Sequence, residues 1–253
     1  MRLQGFFLWL LLLPFAAGAS DLVREQRMAA EIEGAIVVGD PVRLKTGEVG
    51  FFAIHTPVEG RAVRGGVILL HGRGAHPDWS DVINPLRSEL PEFGWETLSI
   101  QMPVAARDAP TWIYRELTPE AFPRIGFAVE YFKQRGVTHL VLVGHGLGAR
   151  MGAEFLGQGA PEEIRGFVAV GLPAKGRAKT LEALKKIRVP LLDLYGSRDI
   201  DAVLESVGER AAAAREGGGP DYRQRQIVGA DHFFRGLEER LIAEVRDWMN
   251  ARP

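Results

Sequence analysis

Short apolar segments alternate with longer amphipathic segments through most of the chain, and this alternation constrains the fold most strongly. A strand that is buried on both faces reads as a continuous apolar run, and helices between such strands return the chain in the same direction. The pattern therefore predicts an α/β fold in three layers, with a mostly parallel central sheet and helices on both faces. The predicted strands are Gly66 to Leu70, Glu96 to Ile100, His139 to Val143, Gly166 to Val170, Val189 to Tyr195 and Tyr222 to Val228. The predicted helices are Trp79 to Leu90, Pro119 to Gln134, Leu147 to Leu156, Leu181 to Lys186, Ala202 to Glu216 and Leu237 to Met249.

The segment before these repeats has a different pattern. A short amphipathic helix is predicted from Ser20 to Glu33, followed by strands from Ala35 to Leu44 and from Gly50 to His55. The residues between the two strands, 45–48, contain a glycine and polar side chains that favour a tight turn. We therefore expect an antiparallel hairpin at the N-terminal edge of the sheet.

The first nineteen residues have the composition of an export signal. Arg2 precedes an apolar run from Phe6 to Phe15, and Ala17-Gly18-Ala19 forms an A-x-A cleavage site. The run is shorter than the roughly 20 residues that a transmembrane helix needs, although an uncleaved anchor is the alternative. We predict a signal peptide over residues 1–19, a single domain over residues 20–253 and a periplasmic location.

Charge and composition restrict the partners of this domain. The chain carries a net charge of −1, and no cluster of basic residues suggests nucleic acid binding. It contains no cysteine, so no disulfide forms. No later apolar run is long enough to cross a membrane, and no motif indicates a cofactor. The expected partner is a small molecule or an envelope protein, and the oligomeric state stays open.

One segment of the alternating region carries a distinctive glycine pattern. Residues 141–149 predict a buried strand, a sharp turn and the start of a helix, with glycine at 144, 146 and 148. This layout matches a G-x-S-x-G turn, in which a nucleophilic serine lies on a strained strand-to-helix connection. Here Gly146 occupies the serine position, so the turn has no side chain that could attack a substrate.

The order of the motifs in this chain resembles the α/β-hydrolase superfamily, in a form without a large cap domain. The resemblance extends over nearly the whole chain after the signal segment. It implies a hydrolase-like cleft at the carboxyl ends of the strands, with the usual serine absent. The motifs are His71-Gly72-Arg73-Gly74, the turn Gly144 to Gly148, Gly196-Ser197-Arg198-Asp199 and Gly229-Ala230-Asp231-His232.

The resemblance assigns a role to residues in each motif. Asp199, with Asp201 as the reserve candidate, would orient His232 over Gly146. The backbone N–H groups of Leu147 and Arg73 would form the oxyanion hole. The loop that presents the second donor begins with the pair His71-Gly72, which we include among the candidate ligand-binding residues.

Other side chains are weaker candidates. None of the six serines lies on the turn, and His145 is predicted to point away from the cleft. A zinc site formed by histidines is not supported by any ligand spacing, so no metal is predicted. The loop from Met102 to Thr118 could form a wall of the cleft through Trp112 and Tyr114, or these rings could anchor the loop to the core.

The sequence leaves three functions open. The protein could be a catalytically silent member of the superfamily that binds an acyl or carboxylate ligand or a partner. It could be an active esterase or peptidase that uses His232 and Asp199 with water or an unrecognised nucleophile. It could also be a structural envelope protein in which the cleft is vestigial.

Overall fold

A computed structural model of the protein describes residues 20–46 and 49–252. The predicted signal peptide and the centre of the predicted hairpin turn lie outside these described residues. The strands are β1 (Asp40–Thr46), β2 (Val49–Thr56), β3 (Gly65–Leu70), β4 (Trp95–Ile100), β5 (Leu140–His145), β6 (Ile164–Val170), β7 (Leu191–Arg198) and β8 (Tyr222–Asp231). The helices are α1 (Leu22–Glu33), α2 (Ile83–Glu89), α3 (Ile113–Glu116), α4 (Thr118–Gln134), α5 (Leu147–Leu156), α6 (Ala178–Lys186), α7 (Asp201–Leu204), α8 (Val207–Glu216) and α9 (Glu238–Asn250). A 3-10 turn over Leu90–Phe93 follows α2.

The strands form one eight-stranded sheet in the order β1-β2-β4-β3-β5-β6-β7-β8. β1 pairs antiparallel with β2, and β2 pairs antiparallel with β4, whereas all the later pairs are parallel. The predicted fold class is therefore confirmed: a mostly parallel sheet carries an antiparallel hairpin at its N-terminal edge. This topology brings the carboxyl ends of the parallel strands to one edge of the sheet, where the loops of interest lie.

The sheet is covered on both faces because side chains of a strand alternate between them. On β3, Ile68 and Leu70 pack in a core with residues of α4, α5 and α8. Val67 and Leu69 belong to a second core, on the opposite face, with residues of α2 and α9. The connection from β6 to α6 runs only from Gly171 to Arg177, so no cap domain is inserted there.

Some boundaries differ from the predicted ones. β1 begins at Asp40 rather than Ala35, and α2 begins at Ile83 because Val82 adopts a positive φ of 58°. The helix predicted over residues 202–216 is divided into α7 and α8. Between them the hydroxyl of Ser206 accepts a hydrogen bond from the main-chain N–H of Ala174, which ties the break to the loop after β6.

Helix α1 is fixed to the body of the protein by a buried ion pair. Glu25 Oε2 accepts a hydrogen bond from Arg124 Nη1 of α4 at 2.7 Å, and both side chains are almost completely buried. Glu25 Oε1 also accepts from the main-chain N–H of Val104 at 3.1 Å. Burial raises the pKa of Glu25, and Arg124 opposes this shift. Within the described ranges, no helix has both the length and the apolar character needed to cross a bilayer.

Candidate functional site

The strand-to-helix turn between β5 and α5 adopts the sharp conformation that the glycine pattern predicts. Gly146 has φ 54° and ψ −113°, and its N–H donates to the main-chain oxygen of Val170 at 2.9 Å. A residue with a side chain is strained at such a positive φ, whereas glycine adopts it at little cost. The turn therefore has the predicted sharp strand-to-helix geometry, with glycine at its centre.

The outer glycines of the turn are required by close packing. A Cβ atom on Gly148 would lie 2.2 Å from the main-chain oxygen of Leu70, and one on Gly144 would lie 2.6 Å from Cα of Ala149. These distances are shorter than any real carbon contact, so any side chain here would push α5 away from β3. The N-terminus of α5 is thus held directly against the end of the neighbouring strand.

His232 and Asp199 meet beside this turn. His232 follows β8, Asp199 follows β7, and the distance from His232 Nδ1 to Asp199 Oδ1 is 2.6 Å. The Asp199 side chain is fully buried, and its oxygens also accept hydrogen bonds from the N–H groups of Gly196 and Ile200. Asp201 is exposed at the first position of α7. Asp199 rather than Asp201 is therefore the partner of His232.

The other ring nitrogen of His232, Nε2, faces the space that a side chain at position 146 would occupy. A Cβ atom on Gly146 would lie 3.1 Å from His232 Nε2 and 3.5 Å from Cε1. A hydrogen bond from Nδ1–H to the Asp199 carboxylate leaves the lone pair of Nε2 directed at this space. The arrangement provides a proton acceptor at the turn, but it provides no hydroxyl.

Gly171 lies against the pair of His232 and Asp199. The sequence analysis did not identify this residue. Its φ is +56°, and a Cβ atom there would lie 2.9 Å from His232 Nδ1 and 3.4 Å from Asp199 Oδ2. Only glycine leaves room for the ring and the carboxylate to meet at this point. The available signal was a glycine immediately after an apolar strand, which is too common to identify a site.

His145 contacts His232 directly. The sequence predicted that His145 points away from the cleft, and it did not predict this contact. Its Nε2 donates to the main-chain oxygen of His232 at 2.9 Å, and the two ring centroids are 4.7 Å apart. Burial, together with the smaller effect of the neighbouring His232, lowers the pKa of His145 to about 4. His145 is therefore neutral at physiological pH and acts as a fixed support for the loop that carries His232.

His71 does not contact the cleft, although it was a candidate ligand-binding residue. It is 1% exposed, and its Nδ1 donates to the main-chain oxygen of Gly72 at 2.9 Å. Its Nε2 accepts from the main-chain N–H of Met102 at 2.9 Å. Burial lowers its pKa to about 3. The His71 ring therefore connects the loop after β3 to the loop after β4. Gly72 lets the loop after β3 approach His145, because a Cβ atom on Gly72 would lie 3.2 Å from His145 Nδ1.

The two backbone groups assigned to the oxyanion hole have no protein acceptor. Neither the N–H of Leu147 nor that of Arg73 donates to any group of residues 20–46 or 49–252. Leu147 is the first residue of α5, where free N–H groups and the helix dipole favour a negative or carbonyl oxygen. These donors are therefore available to a ligand or to water.

The side chains of the adjacent loop are divided between cleft and core. The Arg73 guanidinium is exposed and lies across this loop, 3.3 Å from Thr111 Oγ1 and with its carbon 4.9 Å from the centroid of the Tyr114 ring. Tyr114 is buried and anchors the loop to the core, so it does not line the cleft as a free wall. Trp112 is 53% exposed, so of these two aromatic side chains it is the one in contact with solvent.

The described part of the chain contains no group of three or more His, Cys, Asp or Glu side chains arranged to hold a metal ion. His145 and His232 lie next to each other, but His145 Nε2 is directed to a main-chain oxygen and His232 Nδ1 to a carboxylate. The side chains at this site can form hydrogen bonds, and His232 Nε2 can accept a proton.

Comparison with known proteins gives a family and a fold. The family model described as "Protein of unknown function (DUF3530)" matches residues 21–121 and 114–251. A search of curated protein sequences finds no significant match.

Solved structures that share the fold include several hydrolases. Est1E from Butyrivibrio proteoclasticus is 16% identical with a TM-score of 0.67, over 84% of this chain and 98% of that one. The esterase Pf2001 from Pyrococcus furiosus is 17% identical with a TM-score of 0.68, over 84% and 92%. A dienelactone hydrolase from Anabaena variabilis is 17% identical with a TM-score of 0.68, over 84% and 97%. At these identities the comparison establishes the α/β-hydrolase fold.

Proposed function

We propose that this chain, which belongs to the DUF3530 family, is an exported and catalytically silent protein of the α/β-hydrolase fold that binds a small acyl or carboxylate ligand. The ligand lies against the turn at Gly146, and its oxygen accepts hydrogen bonds from the N–H groups of Leu147 and Arg73. Residues 20–253 act as one domain after removal of residues 1–19, and the protein works in the periplasm.

One observation carries the proposal of catalytic silence. His232 Nε2 lies 3.1 Å from the position that a Cβ atom of residue 146 would take. That contact is tighter than an ordinary carbon–nitrogen contact, so the ring occupies part of the space that a serine side chain would need. The acceptor is present, but the group whose proton it would take is absent.

The ligand chemistry follows from what remains at the site. The N–H groups of Leu147 and Arg73 have no acceptor among the described residues, and the N-terminus of α5 adds a favourable potential for negative charge. A carboxylate or a carbonyl oxygen satisfies both donors. His232, with its side chain 14% exposed, is accessible to donate or accept a further hydrogen bond.

Export is supported by the surroundings of Ser20, the first residue after the A-x-A site. Its main-chain nitrogen lies 3.2 Å from both carboxylate oxygens of Glu120, and Ser20 is 9% exposed. Cleavage after Ala19 would convert this nitrogen into an ammonium group facing a carboxylate. A charge-assisted pair of this kind is roughly twice as strong as a neutral hydrogen bond.

A residual hydrolase is the second candidate, and the intact pair of His232 and Asp199 favours it. At 2.6 Å the carboxylate holds the imidazole in the tautomer that accepts a proton at Nε2. A water molecule between Nε2 and a bound ester could then act as the nucleophile. Enzymes that lose a triad serine keep roughly 10³–10⁴-fold catalysis over water from binding and the oxyanion hole alone, so this activity would be weak.

The proposal is tested by native mass spectrometry of the protein purified from its own host, together with Gly146→Ala and Gly136→Ala. Alanine at 146 places a methyl group against His232 and into the ligand space. Alanine at 136 meets the same positive-φ strain, since its φ is 79°, but contacts nothing within 4 Å. We expect a ligand mass on the wild type and on Gly136→Ala that is weakened or lost in Gly146→Ala.

Two other results would replace the proposal. Ester hydrolysis by the wild type that disappears in His232→Ala would establish the residual hydrolase. The absence of any bound mass and of any activity, with an unaltered fold, would indicate a vestigial cleft in a structural protein.

A further inference from the structure

A second cleft lies between α3, the start of α4, α5 and the segment that leads into α6. Its volume is about 390 Å³, within the range of small-molecule sites. It is lined by side chains of both charges, with cations in the majority: Arg115, Arg150, Arg177, Lys179, Glu116 and Glu154. None of these cations forms an ion pair with a carboxylate of the described residues, unlike Arg124 and Arg210, which are buried and paired elsewhere in the protein.

Arg150 is the central group of this cleft. It is 5% exposed, and the only hydrogen bond from its side chain to the described residues runs from Nη2 to the main-chain oxygen of Tyr114 at 3.1 Å. The remaining donors of the guanidinium have no partner in the described protein. None of these donors is among the fully buried unpaired atoms of the protein, so they face the cleft and are available to an anion.

The neighbouring charges act on Arg150 in both directions. Burial lowers the pKa of Arg150 to about 10; Glu154 opposes the shift, and the positive charges of Arg177 and Arg115 add to it. Arg150 is therefore still a cation at neutral pH, close to two others. Glu154 is partly engaged, because its Oε1 accepts a hydrogen bond from Thr180 Oγ1 at 2.8 Å.

We propose that this cleft is a binding site for a dianionic oxyanion group, a phosphate ester or a dicarboxylate, held by Arg115, Arg150 and Arg177. The planar fork of arginine donates two parallel hydrogen bonds to such groups, and convergent arginines are a common means of recognising them. Lys179 adds charge at the rim.

The cleft is close to the site at Gly146 but does not depend on it. Arg150 lies on α5 three residues after Leu147, so the two backbone positions are about 4.5 Å apart along the helix axis. The anion uses side chains, whereas the proposed acyl site uses backbone N–H groups. Either proposal can therefore fail while the other stands.

Isothermal titration calorimetry and thermal unfolding with inorganic phosphate and with succinate test the site, with sodium chloride at matched ionic strength as the reference. The variants are Arg115→Met and Arg177→Met, because neither side chain hydrogen-bonds to the described protein and both should fold. Arg165→Met, an exposed arginine of β6 outside the cleft, is the matched control.

We expect saturable binding of at least one dianion to the wild type and to Arg165→Met. Affinity should fall by at least about tenfold in Arg115→Met and Arg177→Met, since each removes a charge-assisted contact. Without the anion these two variants should melt at or above the wild-type temperature, because like charges are removed. Arg150→Met should abolish binding; equal effects of chloride and dianions, or unchanged affinity in Arg115→Met and Arg177→Met, would overturn the proposal.

Discussion

His145 donates from Nε2 to the main-chain oxygen of His232 at 2.9 Å, with the two ring centroids 4.7 Å apart. His145, which directly precedes Gly146, therefore holds the loop that carries His232. This support involves no atom of residue 146. The pair of His232 and Asp199 can consequently keep its geometry although the nucleophile is absent.

Gly146→Ser is expected to restore a reactive serine. The hydroxyl would lie next to His232 Nε2, and the ring has to retreat by a few tenths of an ångström to accept the new Cβ. Strain at the positive φ should lower the free energy of unfolding by about 1–3 kcal/mol. Labelling by a fluorophosphonate probe and hydrolysis of a p-nitrophenyl ester measure the gain, and the wild type should be inert in both.

Gly146→Ala is the matched control for that experiment, because it introduces the same Cβ and the same strain without a hydroxyl. It should lose a similar amount of stability and remain unreactive. A folded Gly146→Ser protein that does not react would mean that His232 is not positioned to activate a serine. The cleft would then be a binding or vestigial surface.

Gly171→Ala should disrupt the proton acceptor without touching the turn. The added methyl group would lie 2.9 Å from His232 Nδ1, so the ring and Asp199 cannot both keep their places. In the Gly146→Ser background we expect probe labelling to fall at least tenfold. Gly136→Ala in the same background supplies a positive-φ substitution in open space, and it should leave labelling unchanged. Equal labelling in the two double variants would contradict the role of Gly171.

The sequence predicted the sheet from local patterns, and it predicted the pair of Asp199 and His232 from its resemblance to the α/β-hydrolase superfamily. Apolar runs identify strands that are buried on both faces, and Asp199 and His232 each follow such a strand within a recognisable motif. The choice between Asp199 and Asp201 required the fold, since it depends on which carboxylate is buried against the ring.

The contacts that were missed join segments far apart in the chain. The pairs that come together only after the strands are ordered in the sheet are His145 with His232 and Gly171 with His232. Arg150 and Arg177 come to line one cleft in the same way. His71 was misassigned for the same reason, because its partner Met102 follows a different strand. No periodicity or spacing in one sequence encodes these distances.

Acid should destabilise the protein through its buried neutral histidines. The unfolded chain protonates them near pH 6.5, whereas the native pKa values of His145 and His71 are lowered to about 4 and about 3. Their stabilising contribution is thus complete above pH 6.5 and is lost as the pH falls below it, by roughly 1.4 kcal/mol per pH unit for each residue. Urea unfolding between pH 4.5 and pH 7.5 measures the slope.

His145→Gln isolates one part of this dependence. The glutamine amide can still donate to the main-chain oxygen of His232, but it does not titrate. The slope of the unfolding free energy below pH 6.5 should decrease by up to roughly 1.4 kcal/mol per pH unit. An unchanged slope would show that His145 is not held neutral in the native state.

Glu120→Gln should destabilise the chain that begins at Ser20 by about 1–3 kcal/mol, because it removes the carboxylate from the terminal ammonium. Acetylation of the Ser20 amino group should lower the free energy of unfolding by a similar amount when Glu120 is present. In Glu120→Gln it should lower it little further, because both changes remove the same interaction. Chemical denaturation of the four proteins gives the coupling. Additive losses would indicate that no such ion pair forms.

The packing of Gly144 and Gly148 has a consequence for how such chains are recognised. Both glycines are fixed by contact with backbone atoms, among them those of Ala149 and Leu70, and none of these atoms belongs to residue 146. The glycine frame of an enzyme motif is therefore a requirement of helix-on-sheet assembly, separable from the chemistry it surrounds. A motif scan that scores only the glycine frame will group together chains with and without a serine at the central position.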